Sequence, residues 1–181
     1  MFDLAPGVDF DEDKHIYTYK GKLLSGVTTP IGKFYAKTFK NAPVEQEKQE
    51  GSYVHKVVSD WISGKDVVTS IAGAIWTISE IKKIVDINGG MLYSEVLVSD
   101  FNKYASSIDI IHVLPDGRFD LYDIKRTMYR PTVTAQLTMY KNLVEQRGYA
   151  VNNLYCIGFL DKQVYPVIPA SGKIIDAIFY S

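Results

Sequence analysis

Asp123 and Lys125 stand two residues apart in Leu121-Tyr122-Asp123-Ile124-Lys125, and Asp109 interrupts the apolar run Ser107-Ile108-Asp109-Ile110-Ile111. Residues i and i+2 of a strand share a face, so Asp123 and Lys125 project together if their segment is extended. Between the two runs, Pro115-Asp116-Gly117 reads as a turn, proline fixing φ and glycine accepting φ > 0. Such a short turn makes the runs antiparallel neighbours. Counted outward from it, Asp109 and Asp123 lie at similar distances, which predicts a cross-strand carboxylate pair beside an ammonium group. Glu95, in Tyr93-Ser94-Glu95-Val96-Leu97, adds a carboxylate on the preceding segment.

Packed carboxylates repel one another and raise their own pKa values unless a cation sits among them. Hard divalent ions, magnesium or manganese, suit oxygen ligands of this kind. Such an ion neutralises charge on a pentacovalent phosphorus and activates a water, and a nearby lysine orients that water or stabilises the phosphate. The chemistry that fits is metal-assisted phosphodiester hydrolysis, with Asp109, Asp123, Lys125 and Glu95 as catalytic candidates. Taken alone, Asp-x-Lys also fits two solvent-facing strand residues, so the surrounding pattern carries the weight.

The elements that must position these groups follow from the apolar periodicity. His15-Ile16-Tyr17-Thr18-Tyr19 alternates, Lys20-Gly21 turns and Lys22-Leu23-Leu24 returns, a small hairpin. Thr29 before Pro30 signals a helix start and predicts a short helix to about Phe39. Val54, Val57, Val58, Trp61 and Ile62 recur at helical spacing up to Gly64, and Ile71, Ile75, Ile78, Ile81 and Val85 do so up to Asn88-Gly89-Gly90. The period then changes. Strands are predicted over 91–98, 104–114 and 119–125, a helix over 132–147 closed by Gly148, a central strand over 153–160 and an edge segment over 165–168 broken by Pro166 and Pro169. A helical crossover favours a parallel partner for the strand after it. The predicted fold is α/β, one domain over 1–181, with a hairpin and helices (about 10–88) preceding a mixed central sheet (about 91–168) flanked by helices.

Composition narrows the classes. The chain has 181 residues and 46% hydrophobic residues, enough for one packed core. No apolar run approaches the roughly 20 residues that span a bilayer, and Met1-Phe2-Asp3-Leu4 lacks a signal peptide's basic start, so a soluble cytoplasmic protein with no membrane association is expected. The single cysteine, Cys156, sits in an apolar run and cannot form an internal disulfide or an all-cysteine metal site. A net charge of −1 does not advertise a nucleic-acid binder, so local grouping of cations matters. Lys33, Lys37 and Lys40 fall at i, i+4 and i+7 among Phe34, Tyr35 and Phe39, a stripe suited to phosphates and to stacking on unpaired bases, or equally to a solvated face over a core stripe. Arg126 and Arg130 flank the proposed site.

Two further pairs complete the pattern. His55 follows Gly51 by four residues and lies beside the apolar stripe of its helix. Gln136 and Tyr140, also four apart, share a helix face. In order, Gly51-x-x-x-His55, Glu95, Asp109, Asp123-Ile124-Lys125 and Gln136-x-x-x-Tyr140 resemble the RecB-like and phage-exonuclease branch of the PD-(D/E)xK nuclease superfamily. The hairpin followed by Ser25-Gly26-Val27-Thr28-Thr29 is similar to the opening of small phage and mitochondrial genome-maintenance exonucleases. The likeness covers roughly residues 10–160.

The resemblance implies a restriction-endonuclease-like core and a magnesium- or manganese-dependent deoxyribonuclease. Asp109 and Asp123 would be the main metal ligands, assisted by the Ile124 carbonyl, with His55 completing the shell and Glu95 binding directly or through water. Lys125 would position water or phosphate, and Gln136 and Tyr140 would contact DNA or brace the lysine. It further implies an exonuclease of phage-type recombination, repair or replication, acting on DNA ends, including single-stranded ones, in a host cytoplasm. Without a helicase motif, such an enzyme acts alone or with a recombinase or single-strand-binding partner. Iron–sulfur relatives carry four cysteines, so that cofactor is excluded. Two positions depart from the family: Ser106 stands where glycine is usual, three residues before Asp109, and Arg126 follows the lysine where threonine or serine is common. A catalytically silent binding module and a structure-selective endonuclease are the alternatives; intact Asp109, Asp123 and Lys125 argue against the first. Oligomeric state is not readable from the sequence.

Overall fold

Lys20 and Gly21 both take positive φ (50° and 76°), the pair of left-handed residues that a two-residue hairpin of native twist requires. They join strands β2 (Ile16–Tyr19) and β3 (Lys22–Gly26), and β1 (Val8–Asp11) pairs antiparallel with β2. The structure, a computed structural model, describes residues 3–12, 14–38 and 45–180. Beyond the hairpin run α1 (Thr28–Tyr35), α2 (Glu45–Ile62), α3 (Ala72–Asn88), β4 (Met91–Ser99), β5 (Tyr104–Val113), β6 (Phe119–Lys125), α4 (Arg130–Gln146), β7 (Val151–Gly158), β8 (Gln163–Pro166) and α5 (Gly172–Phe179).

The strands form one eight-stranded mixed sheet in the order β1-β2-β3-β5-β6-β7-β8, with β4 on the other edge of β5. The α4 crossover makes β7 parallel to β6, and β8 returns antiparallel at the edge. β5 is the pivot. β6 covers only its later half, Ile110–Val113, while β3 pairs in parallel with its first residues, Tyr104 and Ala105. Between these two partners the sheet forks.

Helices cover both faces, as expected for an α/β sheet whose central strands are apolar on both sides. α4 buries Val133, Ala135, Leu137, Met139, Leu143 and Val144 against one face, together with Ile31 of α1 and Ile175, Ile178 and Phe179 of α5. On the other face Val54, Val57 and Val58 of α2 and Ala74 and Ile81 of α3 pack on Ile110, Tyr122, Ile124 and Ile157. Gly73 lets α3 approach closely, since a Cβ there would lie 2.6 Å from the Phe159 ring. Gly90 must be glycine, because its φ is +94° and a Cβ would lie 2.2 Å from the Val113 carbonyl.

Several boundaries differ from the sequence expectation. α1 starts at Thr28, capped by Val27 with no side-chain bond, so Thr29 is not the cap. β3 holds the chain until Val27 N–H reaches the Ala105 carbonyl, and the helix begins at once. α1 ends at Tyr35 and tightens into a 3₁₀ turn over Ala36–Thr38; Phe39 and Lys40 lie outside the described residues. On α3 the buried face runs through Ala74, Thr77 and Ile81, leaving Ile75 51% exposed. No helix among the described residues is long and apolar enough to cross a membrane.

Candidate metal centre

β5 does not alternate cleanly. Ile108 and Ile111 both enter the core beneath α4, whereas Ile110 enters the core beneath α2 and α3, so the alternation slips by one residue at Asp109. Across from the slip, between the pairs Ser94↔Ile110 and Val96↔Ile108, Glu95 holds φ at 51°. A left-handed non-glycine residue in a strand costs of order 1–3 kcal/mol and persists only where its surroundings fix it. Here the pairs on either side fix it, and the two distortions turn Glu95 and Asp109 toward the same space.

On the other edge, the β5–β6 ladder ends at Ile110↔Tyr122. The next position would have paired Asp109 with Asp123. Instead Asp109 Oδ2 accepts the Ile124 N–H at 2.6 Å, a carboxylate replacing a strand carbonyl. α2 supplies the remaining group. His55 Nε2 donates to the Ile124 carbonyl at 2.9 Å, and its Nδ1 lies 3.5 Å from Asp109 Oδ1. One donor atom each from His55, Glu95 and Asp109 falls within 4.8 Å of the others. Ser107, two residues before Asp109 and hence on its side of the strand, holds Glu95 by donating to Oε2 at 2.7 Å.

Asp123 sits deeper, fully buried on the α4 side. Its Oδ1 accepts from Lys125 Nζ and Gln136 Nε2, each at 2.8 Å. Its Oδ2 lies 2.8 Å from the same ammonium but has no hydrogen-bond partner among the described residues. Gln136 also donates to the Tyr140 hydroxyl at 2.7 Å, which lies 3.1 Å from Ser106 Oγ. Ser106 therefore contributes a hydroxyl to the network behind Asp123.

The charges are strongly interdependent. Burial pushes the Asp123 carboxyl up to about 6, with Lys125 opposing and Asp109 adding to the effect. Burial and the Asp109 charge likewise raise Glu95, whose carboxyl leans over the sheet although the residue as a whole is exposed. Burial would lower His55, but the Asp109 carboxylate overrides it and carries the imidazole up to about 9. Asp109 itself is held below the ordinary carboxylate range: burial works against this, and His55 and Lys125 win. Lys125 is raised because Asp123 and Asp109 outweigh its burial.

This donor set fits a divalent cation. Adjacent ligands of an octahedral ion with bonds of about 2.1 Å lie about 3.0 Å apart, and opposite ones about 4.2 Å. One donor atom each from His55, Glu95 and Asp109 lies within 4.8 Å of the others, a separation that small movements would close onto one ion, with the Ile124 carbonyl freed for the metal once the His55 Nε2 proton leaves. Asp123 Oδ2 is a buried anionic oxygen that has the Lys125 ammonium at 2.8 Å and no hydrogen-bond partner among the described residues. Asp123, expected as a main ligand beside Asp109, lies outside this tight set; its carboxylate faces Lys125 and Gln136.

The groups open onto a cleft of about 750 Å³ lined by His55, Glu95, Ile124, Lys125 and Arg126, with Phe10, Glu12 and His15 of the hairpin region opposite and Lys56, Asp60 and Lys65 at one side. Asp60 is neutralised there by Lys56 at 2.5 Å and Lys65 at 2.6 Å. The hairpin wall was not anticipated, because nothing local in Phe10 or His15 signals that the fold brings them to β4 and α2. Ser107 could have been found from its i−2 spacing to Asp109.

The expected DNA contacts are placed unevenly. Gln136 and Tyr140 are 6% and 2% exposed, so they brace Asp123 and have no surface to offer a duplex. Arg126 is paired with Glu47 at 3.0 Å and Glu50 at 3.1 Å, which ties it to α2. Arg130 is exposed at the start of α4. Lys33 and Lys37 are exposed, but Lys37 belongs to the 3₁₀ turn, so the i, i+4 register of one α-helix does not apply. Lys40 lies outside the described residues. No known family model matches this chain, and no curated protein matches it in sequence.

Proposed function

We propose that this chain is a divalent-metal-dependent nuclease that hydrolyses phosphodiester bonds in DNA, on a restriction-endonuclease-like core of the PD-(D/E)xK kind. The carrying observation is the convergence of His55, Glu95 and Asp109 donors within 4.8 Å, beside the Ile124 carbonyl and an ammonium from Lys125. A structural ion pair needs two charges; three acidic side chains, an imidazole and a lysine around a broken strand ladder are more than the fold requires.

Asp109, Glu95, His55 and the Ile124 carbonyl would hold a magnesium or manganese ion, with Asp123 Oδ2 as the remaining oxygen. The imidazole tilts the preference toward manganese. A bound divalent ion supplies charge neutralisation at the phosphate and an acidified water. Lys125 keeps its charge and its partly exposed side chain lines the cleft, so the ammonium, now on Asp123, would be near enough to bind the scissile phosphate or orient the attacking water. Gln136 and Tyr140 hold Asp123, and hence the lysine, in place. Arg130, exposed at the start of α4, would serve the flanking phosphates. Action on ends, as an exonuclease in recombination, repair or replication, follows the family resemblance.

End-labelled single- and double-stranded DNA and closed circular DNA, incubated with magnesium or manganese, test this. Wild type should shorten linear DNA from its ends and spare the circle, and Asp109→Asn and Lys125→Met should leave both intact. Cutting of circular DNA would make the enzyme an endonuclease. Normal cutting by either variant would refute the site.

A further inference from the structure

The catalytic cleft adjoins a second one. His15, in the turn between β1 and β2, lines both, and the second cleft has a volume of about 610 Å³. Ile16, Lys22, Leu23, Ser25, Thr29 and Lys103 line it, and among the described residues no acidic side chain does. The two ammonium groups are fixed by neutral partners. Lys22 donates to Asn102 Oδ1 at 3.2 Å, and Lys103 donates to the Phe179 carbonyl at 2.8 Å while lying 4.9 Å from the Tyr104 ring centre. Both are therefore positioned by neutral groups, and neither has a carboxylate partner among the described residues. Asp100, the acid of the neighbouring loop, has one oxygen occupied by the N–H groups of Asn102, Lys103 and Tyr104.

The same cleft exposes apolar surface, with Leu23 67% and Ile16 36% exposed. Positioned cations beside exposed aliphatic side chains match a strand whose phosphates and unpaired bases are both available, whereas a duplex buries its bases. The shared wall is rigid. Phe10 and Tyr17 stack at 4.5 Å, and His15, held at φ 54°, sets its ring edge-on to both at 5.3 and 5.6 Å.

We propose that this second cleft binds the single-stranded DNA that continues beyond the scissile phosphate, with His15 as the ridge the strand crosses between the clefts. The proposal rests on the nuclease reading of the first cleft for what lies at the other end of the strand. Charge complementarity and continuity through His15 argue for this occupant.

The test is fluorescence anisotropy of labelled oligothymidylate, about 20 and about 4 nucleotides long, and of a duplex, all in chelator so that nothing is cut. Wild type should bind the long strand more tightly than the short strand or the duplex. Lys22→Glu should erase about tenfold of that preference and lower the salt slope by about one ion. Lys22→Gln, a milder change at an exposed site, should lose part of it and covers the case of a poorly folded charge reversal. Equal binding of the long strand by wild type and both variants would overturn the proposal, as would a preference for duplex. Cutting is measured separately. Lost long-strand binding without wild-type cutting would retain the cleft and sink the nuclease; cutting with unaltered Lys22→Glu binding would do the reverse.

Discussion

In the absence of metal, a proton on His55 is what holds the carboxylates together. The imidazole is raised from 6.5 to about 9 by Asp109, against the effect of burial. At about 1.4 kcal/mol per pH unit, that difference corresponds to about 3 kcal/mol of folding stability. The folded state holds this proton more tightly than the unfolded chain. The contribution is therefore complete below pH 6.5 and is lost as pH rises through about 9. The Asp123 carboxyl, at about 6, has largely titrated before this window and does not obscure it. For a chain of this size, about 3 kcal/mol is about 10 °C in Tm. Thermal unfolding in chelator should show that fall for wild type and a much flatter profile for His55→Gln. Manganese needs the neutral imidazole, so binding should release about one proton near neutral pH, read by calorimetry in two buffers of different ionisation enthalpy, and should restore the lost stability. Parallel wild-type and His55→Gln profiles, or manganese binding without proton release, would refute the assignment of His55.

Asp123→Asn keeps an acceptor for Gln136 but removes a fully buried charge whose carboxyl is pushed up to about 6. A raised carboxyl costs stability above its pKa, so at about pH 8 the variant should be more stable by up to about 3 kcal/mol in urea unfolding while losing all cutting; a destabilised variant would contradict the electrostatic account. At Glu95 the left-handed φ of 51° inverts the usual strand preference. Glu95→Gly should be about 1 kcal/mol more stable than Glu95→Ala by the same measurement, and the ordinary order would mean the backbone there is not strained.

Where the period-2 signal was backed by turn chemistry, the sequence was sufficient. Phe119–Lys125 is the strand predicted, and the glycine of the preceding turn, Gly117, takes φ +83°. The helix before β7 and the parallel pairing after it followed from the same patterning. What local patterning cannot carry is the slip at Asp109. It falls where β3 and β6 share one edge of β5 while β4 holds the other, leaving Asp109 on the stretch of that shared edge that neither β3 nor β6 pairs. Arg126 teaches the same lesson in electrostatics: beside Lys125 it reads as a phosphate clamp, and only the fold brings Glu47 and Glu50 to neutralise it. α5 was a missed signal rather than an absent one, since Ile174, Ile175, Ile178 and Phe179 recur at i, i+1, i+4 and i+5.

The arrangement also shows why so costly a cluster persists. An apolar residue in place of Asp123, or a glycine in place of Glu95, would remove buried charge or backbone strain. Neither element is needed by the two cores, which close through α2, α3 and α4 on their own apolar faces. The cluster instead balances itself internally. Lys125 offsets Asp123, protonated His55 offsets Asp109, and burial and Asp109 raise the Glu95 carboxyl, so that it gives up its charge more readily than an ordinary glutamate. One of those two cations is removable. Lys125 is held charged by its carboxylate partners, whereas the His55 proton can leave in exchange for a stronger charge. A site built only for stability would use a second lysine there; an exchangeable proton is the choice that leaves room for a metal ion.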